Sequence, residues 1–153
     1  MGYRHTQFGF VTVIGLGTAT LIGGYITALT FHWIAALITA LMGTLAVVFG
    51  TLTTSVQNGL FICAFGPGLI RRQIVLTEIT EVSVVRNPWY FGWGIRLTPH
   101  GWLWNVSGTQ GVEVCFNDGR RFRVGSDEPE RLAAAVRGEL GTDQAGSGGR
   151  NRS

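Results

Sequence analysis

The sequence predicts a membrane hairpin of two transmembrane α-helices followed by a small α+β domain. Three observations support this prediction. No Asp, Glu, Lys or Arg occurs between Arg4 and Arg71. Beyond Ser55, apolar and polar residues alternate as they do in half-buried strands. One amphipathic stretch then follows the last alternating run. A chain of 153 residues has room for such a membrane element and one domain of common size.

The composition also favours a membrane protein. Charged residues make up 14% of the chain, against roughly 25% in soluble proteins, and the mean hydropathy is +0.27. The net charge is +3 and all twelve basic residues are Arg. They form no dense basic stripe with a recognition fold, so we expect no nucleic-acid partner. Cys63 and Cys115 lack the paired spacing of a metal site and are too few for a disulfide framework, so we expect reduced cysteines in a cytoplasmic domain.

The apolar run from Phe8 to Thr54 is long enough for two membrane spans. A bilayer core of about 30 Å takes roughly 20 helical residues, and a single helix over the whole run would reach about 70 Å. We place the spans at Phe8–Leu29 and Trp33–Thr54, within a membrane segment 1–54, and the turn at residues 30–32. A cleaved signal peptide is the alternative, but its apolar core would have only about 7 to 15 residues.

Basic residues beside the spans predict the orientation, because Arg and Lys are retained on the cytoplasmic side. Arg4 precedes the first span, Arg71 and Arg72 follow the second, and the turn has none. We therefore expect a multi-pass protein of the inner cell membrane with both termini in the cytoplasm. Because the spans carry no charge, they are expected to be an anchor and not a conduit.

Small residues recur at helical spacing in both spans. Such residues let helix backbones approach closely in lipid. They explain either the packing of the hairpin on itself or an interface of a homo-oligomer, and the sequence leaves both readings open. The residues are Gly15, Ala19 and Gly23 in the first span and Ala36, Ala40 and Thr44 in the second.

Alternation predicts seven strands in the segment 55–140, which we take as the cytoplasmic domain. Asp118-Gly119, between two alternating runs, is the strongest hairpin signal. Asp127 and Glu130 then have the spacing of a helix cap, and an apolar stripe follows that predicts a helix packed on the sheet. Residues 141–153, rich in Gly and Ser, predict a disordered tail. The expected strands are Val56–Phe65, Leu69–Val75, Ile79–Arg86, Gly94–Thr98, Trp102–Val106, Gly111–Asn117 and Arg120–Gly125.

Strands in this number, closed by one amphipathic helix, follow the order of elements in a pleckstrin-homology-like (PH-like) domain. The resemblance covers about Ser55–Leu140 and implies a seven-stranded, antiparallel, partly open barrel with a C-terminal helix. Those families are largely uncharacterised, so the resemblance implies fold and topology more than function. The stretches that resemble bacterial two-span membrane proteins with a PH-like domain are Phe65-Gly66-Pro67-Gly68-Leu69-Ile70-Arg71-Arg72, Arg86-Asn87-Pro88-Trp89, Gly92-Trp93-Gly94-Ile95-Arg96-Leu97-Thr98, Asn105-Val106-Ser107-Gly108 and Asp127-Glu128-Pro129.

Two groups of residues are candidates for contact with a lipid or a partner. The first is the aromatic loop 87–93, because exposed aromatic residues at this density bind partners or lie among lipid headgroups. The alternative is a loop that folds back over the barrel. The second group is the arginines, which pair with anionic headgroups or form an ordinary solvated strand face. The candidate contact residues are Arg71, Arg72, Arg86, Trp89, Tyr90, Phe91, Trp93 and Arg96.

The sequence contains no motif for catalysis. His5, His32 and His100 lie apart along the chain, and no carboxylate pair or thiol motif accompanies them. We expect neither an enzyme nor a cofactor or metal site. The expected function is a binding or scaffolding domain held at the cytoplasmic face, in contact with anionic lipid or a membrane-protein partner. The alternative is an accessory subunit of a transporter or other membrane complex.

Overall fold

The computed structural model describes residues 2–148, which form nine strands and three α-helices. Short 3-10 turns lie at Leu76–Glu78 and Trp89–Phe91. The helices are α1 (Phe10–Thr30), α2 (Trp33–Phe49) and α3 (Pro129–Gly148). The strands are β1 (Tyr3–Phe8), β2 (Thr51–Gln57), β3 (Leu60–Phe65), β4 (Ile70–Val75), β5 (Ile79–Arg86), β6 (Gly94–Thr98), β7 (Gly101–Asn105), β8 (Gln110–Phe116) and β9 (Arg121–Gly125).

The helical hairpin interrupts a β-hairpin. Strand β1 precedes the helices and pairs antiparallel with β2, which follows them, from Tyr3 opposite Val56 to Phe8 opposite Thr51. One further hydrogen bond, from Gly9 N–H to the Gly50 carbonyl at 2.8 Å, closes this ladder at the base of the helices. The β domain therefore draws on residues before and after the helices, whereas the sequence predicts a domain that starts at residue 55.

The two helices pack against each other through small residues. A Cβ at Gly23 would lie 2.6 Å from Thr39 Oγ1, so only glycine permits this approach, and the Thr27 and Thr39 hydroxyls are 3.4 Å apart. Gly43 faces Thr20 in the same seam. The self-packing face predicted from small residues is correct only at Gly23, because Thr20, Gly23 and Thr27 share one helix face. The other predicted residues, Gly15, Ala19, Ala36, Ala40 and Thr44, are exposed.

Helix α1 has 21 residues and is long and apolar enough to cross a membrane, whereas α2 has 17. The turn between them lies at Phe31 and His32, as predicted. The predicted end of the second span at Thr54 is wrong, since α2 ends at Phe49. Residues from Thr51 onward alternate between half-buried and buried positions and extend as β2, with Leu52 and Thr54 facing the core.

A turn at Asn58-Gly59 separates β2 from β3. The sequence predicts one strand, Val56–Phe65, across this point, and that prediction is wrong. Both turn residues have positive φ, 53° and 72°, as a two-residue type I′ hairpin requires, and Asn-Gly is the dipeptide that adopts it most readily. This turn and the strand β1 raise the count from the predicted seven strands to nine.

The strands form two sheets. The first is a four-stranded meander, β1-β2-β3-β4, and the second has five strands in the order β5-β8-β9-β7-β6. Strands β7 and β9 run parallel, so the predicted all-antiparallel arrangement is wrong at this pair. Because β8 is paired with β5 on one side and with β9 on the other, β7 joins this sheet at the outer edge of β9.

The core lies between the two sheets and under α3. Phe65 and Phe122 both contact Trp104, with ring centroids 5.3 and 5.8 Å apart. Leu132 and Val136 of α3 are fully buried, and Arg137 donates from Nη2 to the Val82 carbonyl at 2.7 Å. The helix thus covers β2, β5 and β8. It continues to Gly148, into the predicted tail, and residues 149–153 of that tail lie outside the described residues.

Candidate functional site

The β domain joins the helices without a linker, and we call this end of the domain the basal end. Thr12 of α1 donates from Oγ1 to the Val106 carbonyl at 3.2 Å. Ser107 Oγ donates to the Phe8 carbonyl at 3.0 Å. Gly66, in the β3–β4 turn, lies so close to the Val47 and Val48 carbonyls that a Cβ there would be within 2.8 Å of both. These contacts fix the orientation of the domain relative to the hairpin.

The aromatic loop 87–93 starts from this end. Asn87 is buried and donates its N–H to the Thr109 carbonyl at 2.6 Å. Beyond it, Trp89 and Tyr90 are 78% and 67% exposed. Their rings pack edge to face with centroids 6.2 Å apart. Phe91 is half-buried and turns back toward His100. The ends of the loop thus cover the domain while Trp89 and Tyr90 project, and the contact of these two residues with lipid or a partner stays a prediction.

A groove runs between the helices and the start of β6. Its volume is about 650 Å³. Arg96 lies at its side, where Nε donates to the Trp93 carbonyl at 3.2 Å. The guanidinium carbon would be 3.2 Å from a Cβ at position 92, and Gly92 has φ 70°, so this fold of the loop needs glycine there. The groove is lined by Thr12, Leu16, Leu45, Phe49, Trp93, Gly94, Ile95 and Arg96. Apolar side chains of both helices thus meet an arginine and a tryptophan of the domain.

The structure separates the predicted arginines. Arg71 is exposed, two residues from the basal turn, and Arg86 is exposed beside Thr109. Arg72, the neighbour of Arg71, points the other way, because successive residues of a strand alternate in direction. Its guanidinium carbon lies 4.7 Å from the centre of the Phe122 ring on the core side. Arg72 therefore lies on the opposite face of β4 from Arg71. Of the other predicted residues, Trp93 and Arg96 line the groove together, and Arg86 and Trp89 line a neighbouring pocket.

One buried ion pair was not predicted. Arg123 Nε donates to Glu113 Oε2 at 2.5 Å, and its Nη1 donates to Asn87 Oδ1 at 3.2 Å. Arg123 is only 8% exposed. The sequence places Arg123 on the polar face of a hairpin but does not show that the loop at Asn87 covers this face. Counting back from a two-residue turn at Asp118-Gly119 would place Val114 opposite Arg123. The register instead pairs Glu113 with Arg123, because Phe116 pairs with Arg120 across a loop of three residues.

Ionisable groups elsewhere in the domain have shifted pKa values with clear causes. Burial raises the pKa of the Cys63 thiol well above its usual range. Burial, and then the negative charge of Glu113, raise the pKa of Cys115. Hydrogen bonds from Arg120 lower the pKa of Asp118. Within the part of the chain that the structure describes, no three His, Cys, Asp or Glu residues come together as metal ligands would.

Comparisons with protein-family models, curated proteins and solved structures found no match to this chain. The resemblance to two-span membrane proteins with a PH-like domain therefore stays a prediction.

Proposed function

We propose that the chain is a non-enzymatic membrane protein that holds a PH-like binding domain against the cytoplasmic face of the inner membrane. The observation that carries this proposal is the insertion of the helical hairpin between β1 and β2. Since Gly9 and Gly50 are hydrogen-bonded to each other, both helices leave the domain at one point. With the hairpin in a bilayer, the basal end must lie at the headgroups.

The geometry of the hairpin supports two spans. Helix α1 is about 32 Å long and α2 about 26 Å, at 1.5 Å per residue. Only two residues join them, so a chain that crosses in α1 has to return in α2. A bilayer accommodates the shorter helix by local thinning at a modest free-energy cost. Phe31 and Trp33 at the turn are exposed aromatic residues of the kind found at membrane interfaces.

The PH-like assignment has support from two packed sheets covered by a C-terminal helix. The parallel pair β7·β9 and the strand β1 are additions to the seven-stranded arrangement that the resemblance implies. The cytoplasmic orientation has support from Arg71, which follows the second helix in sequence, and from Arg86 and Arg96, which lie toward the basal end.

The groove beside Arg96 suits an anionic phospholipid. An acyl chain lying along Leu16 and Leu45 would place its phosphate near the guanidinium, and Trp93 would lie at the level of the headgroups. An arginine near an anionic membrane surface contributes about 1 kcal/mol. Retention of a lipid is therefore expected to depend on Arg96 and on the charge of the headgroup.

Native mass spectrometry of the full chain in mild detergent tests this proposal. We expect phosphatidylglycerol to be retained in preference to phosphatidylcholine, and Arg96→Gln to weaken that retention about fivefold, the equivalent of about 1 kcal/mol. Arg131→Gln, an exposed position on α3 that pairs with Glu128, is the matched control and should bind as the wild type does. Equal retention of both lipids, unaltered by Arg96→Gln, would exclude the lipid contact.

A second candidate is an accessory subunit of a transporter or other membrane complex. The observation that favours it is the exposed set of small residues on the helices, since Gly15 has no atom within 4 Å of its Cβ position and Ala19, Ala36 and Ala40 are exposed. Such faces let another helix approach closely. Cross-linking in native membranes separates the outcomes: a band with a second protein supports a subunit, and monomer and homodimer bands alone argue against it.

A further inference from the structure

We propose a second binding site, an anion-binding cleft on the domain at the end away from the helices, for a soluble phosphomonoester that carries a planar or apolar group. The cleft has a volume of about 470 Å³, within the usual range for small-molecule sites. It lies between β4, the turn from β6 to β7 and the turn from β8 to β9. Its main side chains are Arg72, Leu97, His100, Trp102, Phe116 and Arg120.

Two guanidinium groups in this cleft lie over aromatic rings. The guanidinium carbon of Arg72 lies 4.7 Å from the centre of the Phe122 ring, and that of Arg120 lies 5.6 Å from the centre of the Phe116 ring. A guanidinium over an aromatic ring can still donate its N–H groups in its own plane, and one of these in Arg120, at Nε, already bonds Asp118. An oxyanion between the two side chains accepts from the N–H groups of Arg72 and from those of Arg120 that do not bond Asp118, in the manner that arginine offers to phosphate.

Arg72 has a free charge in this position. In residues 2–141, no ion pair and no hydrogen bond of its guanidinium is formed, and no Asp or Glu lines the cleft. Arg120, by contrast, pairs with Asp118 at 2.5 Å. Arg72 stands on the core side of β4 between Ile70 and Ile74, where packing alone would favour an apolar side chain. An anionic ligand accounts for a cation at this place.

The apolar wall indicates what else the ligand carries. Trp102 and Leu97 are 46% and 70% exposed beside the arginines. An indole face and a leucine side chain exposed next to two cations suit a ring attached to the phosphate.

The position of the cleft favours a soluble ligand over a lipid headgroup. Gly101 lies four residues before Asn105, about 13 Å along β7, and Asn105 adjoins Val106 at the basal end. The headgroup region on each side of a bilayer is only about 5 to 8 Å thick. A phosphomonoester dissolved in the cytoplasm reaches the cleft, whereas a lipid held in the bilayer does not.

Isothermal titration of the full chain in phosphatidylcholine nanodiscs tests this site, with phenyl phosphate and inorganic phosphate as probes. We expect saturable binding of phenyl phosphate, about tenfold tighter than that of inorganic phosphate. Arg72→Gln should weaken it at least tenfold. Arg120→Gln, at an exposed hairpin end, should weaken it several-fold with no effect on folding. Arg71→Gln, one residue away on the opposite face of β4, is the control and should leave binding unchanged.

The proposal is overturned if the wild type does not bind phenyl phosphate, or if binding survives in both Arg72→Gln and Arg120→Gln. Nanodiscs with phosphatidylglycerol distinguish the source of the anion: we expect no competition with phenyl phosphate, and competition would assign the cleft to a lipid headgroup instead. The site does not depend on the lipid groove at Arg96, so Arg96→Gln should leave phenyl phosphate binding unchanged.

Discussion

At the scale of single residues, the domain buries ionisable side chains in two places. Glu113 and Arg123 form an ion pair that Asn87 completes under the aromatic loop. Cys63 lies in the core, fully buried, opposite Arg72 on the neighbouring strand. Both affect the stability of the β domain, and each gives a prediction that depends on burial rather than on any ligand.

Replacing only one partner of the buried Glu113–Arg123 ion pair should lower the free energy of unfolding more than replacing both partners. Glu113→Leu leaves Arg123 without its carboxylate in a buried place, so we expect a loss of about 3 kcal/mol in the free energy of unfolding. The double variant Glu113→Leu, Arg123→Met should recover most of that loss, because no unpaired charge remains. Chemical denaturation followed by tryptophan fluorescence measures both.

The exposed pair of Arg131 with Glu128 is the control for this cycle. Arg131→Gln should change the free energy of unfolding by no more than about 0.5 kcal/mol. A double variant at positions 113 and 123 that is less stable than both single variants would show that the pair itself stabilises the fold.

Cys63 should make the domain less stable in alkali. Burial raises the pKa of its thiol in the folded protein, while in the unfolded chain the thiol ionises near pH 8.5. The unfolded state therefore binds fewer protons above that pH, and stability should fall by up to about 1.4 kcal/mol per pH unit. Thermal unfolding of Cys63→Ala between pH 7.5 and 9.5 should show a flatter pH dependence than the wild type.

Cys115→Ala is the comparison for this measurement. The pKa of Cys115 is also raised, but its side chain is partly exposed, so this variant should flatten the pH dependence less. An unchanged slope in Cys63→Ala would contradict the account.

At the scale of elements, the sequence was informative wherever a signal is local. The strand Gly94–Thr98 occurs as predicted, and the last hairpin turns at Asp118-Gly119 as predicted, because alternation and turn chemistry lie within a few residues. The loop of this hairpin is longer than the predicted two residues, since β8 ends at Phe116 and β9 starts at Arg121. The sequence does not predict strand β1, because its partner β2 lies beyond both helices. A run of six residues does not indicate a strand unless its partner strand is known. Residues 51–54 were assigned to the second span because they are as free of charge as the helix before them.

The candidate site, too, could be predicted only where its signal is local in the sequence. The loop 87–93 could be singled out by its composition, and Trp93 and Arg96 do lie together at the groove. The groove itself could not be predicted, since it forms between β6 and two helices that are distant in sequence. The separation of Arg71 from Arg72 follows from strand alternation, but which of the two faces the core depends on the sheet packing.

The inserted hairpin predicts that the β domain folds without its helices. Residues 10–49 can be replaced by Asn-Gly, because the Gly9–Gly50 hydrogen bond closes the ladder at the position where a two-residue turn connects antiparallel strands. This variant should be soluble, with a β-rich circular dichroism spectrum and a cooperative unfolding transition. A fragment that starts at residue 55 is the matched control, and it should fail to fold because it lacks β1 and half of β2.

At the scale of the whole molecule, the protein is a helical hairpin and a two-sheet domain in direct contact. Its basal end carries the groove, the start of the aromatic loop, Arg86 and Arg96, while the cleft that Arg72 reaches lies beside the β6–β7 turn at the other end of the second sheet. We propose that these two ends face lipid and cytoplasm. Tethering at a membrane raises the local concentration of a binding domain, so weak contacts at either end can suffice.

The depth of single tryptophans in a bilayer tests this orientation most directly. The chain has five Trp, and variants that keep one each, with Phe at the other four positions, can be reconstituted with lipids brominated along the acyl chains. We predict strong quenching of Trp33, at the turn of the hairpin, and of Trp93, beside the groove, and none of Trp102, in the anion-binding cleft. Equal quenching of Trp93 and Trp102, or quenching of neither, would contradict the account.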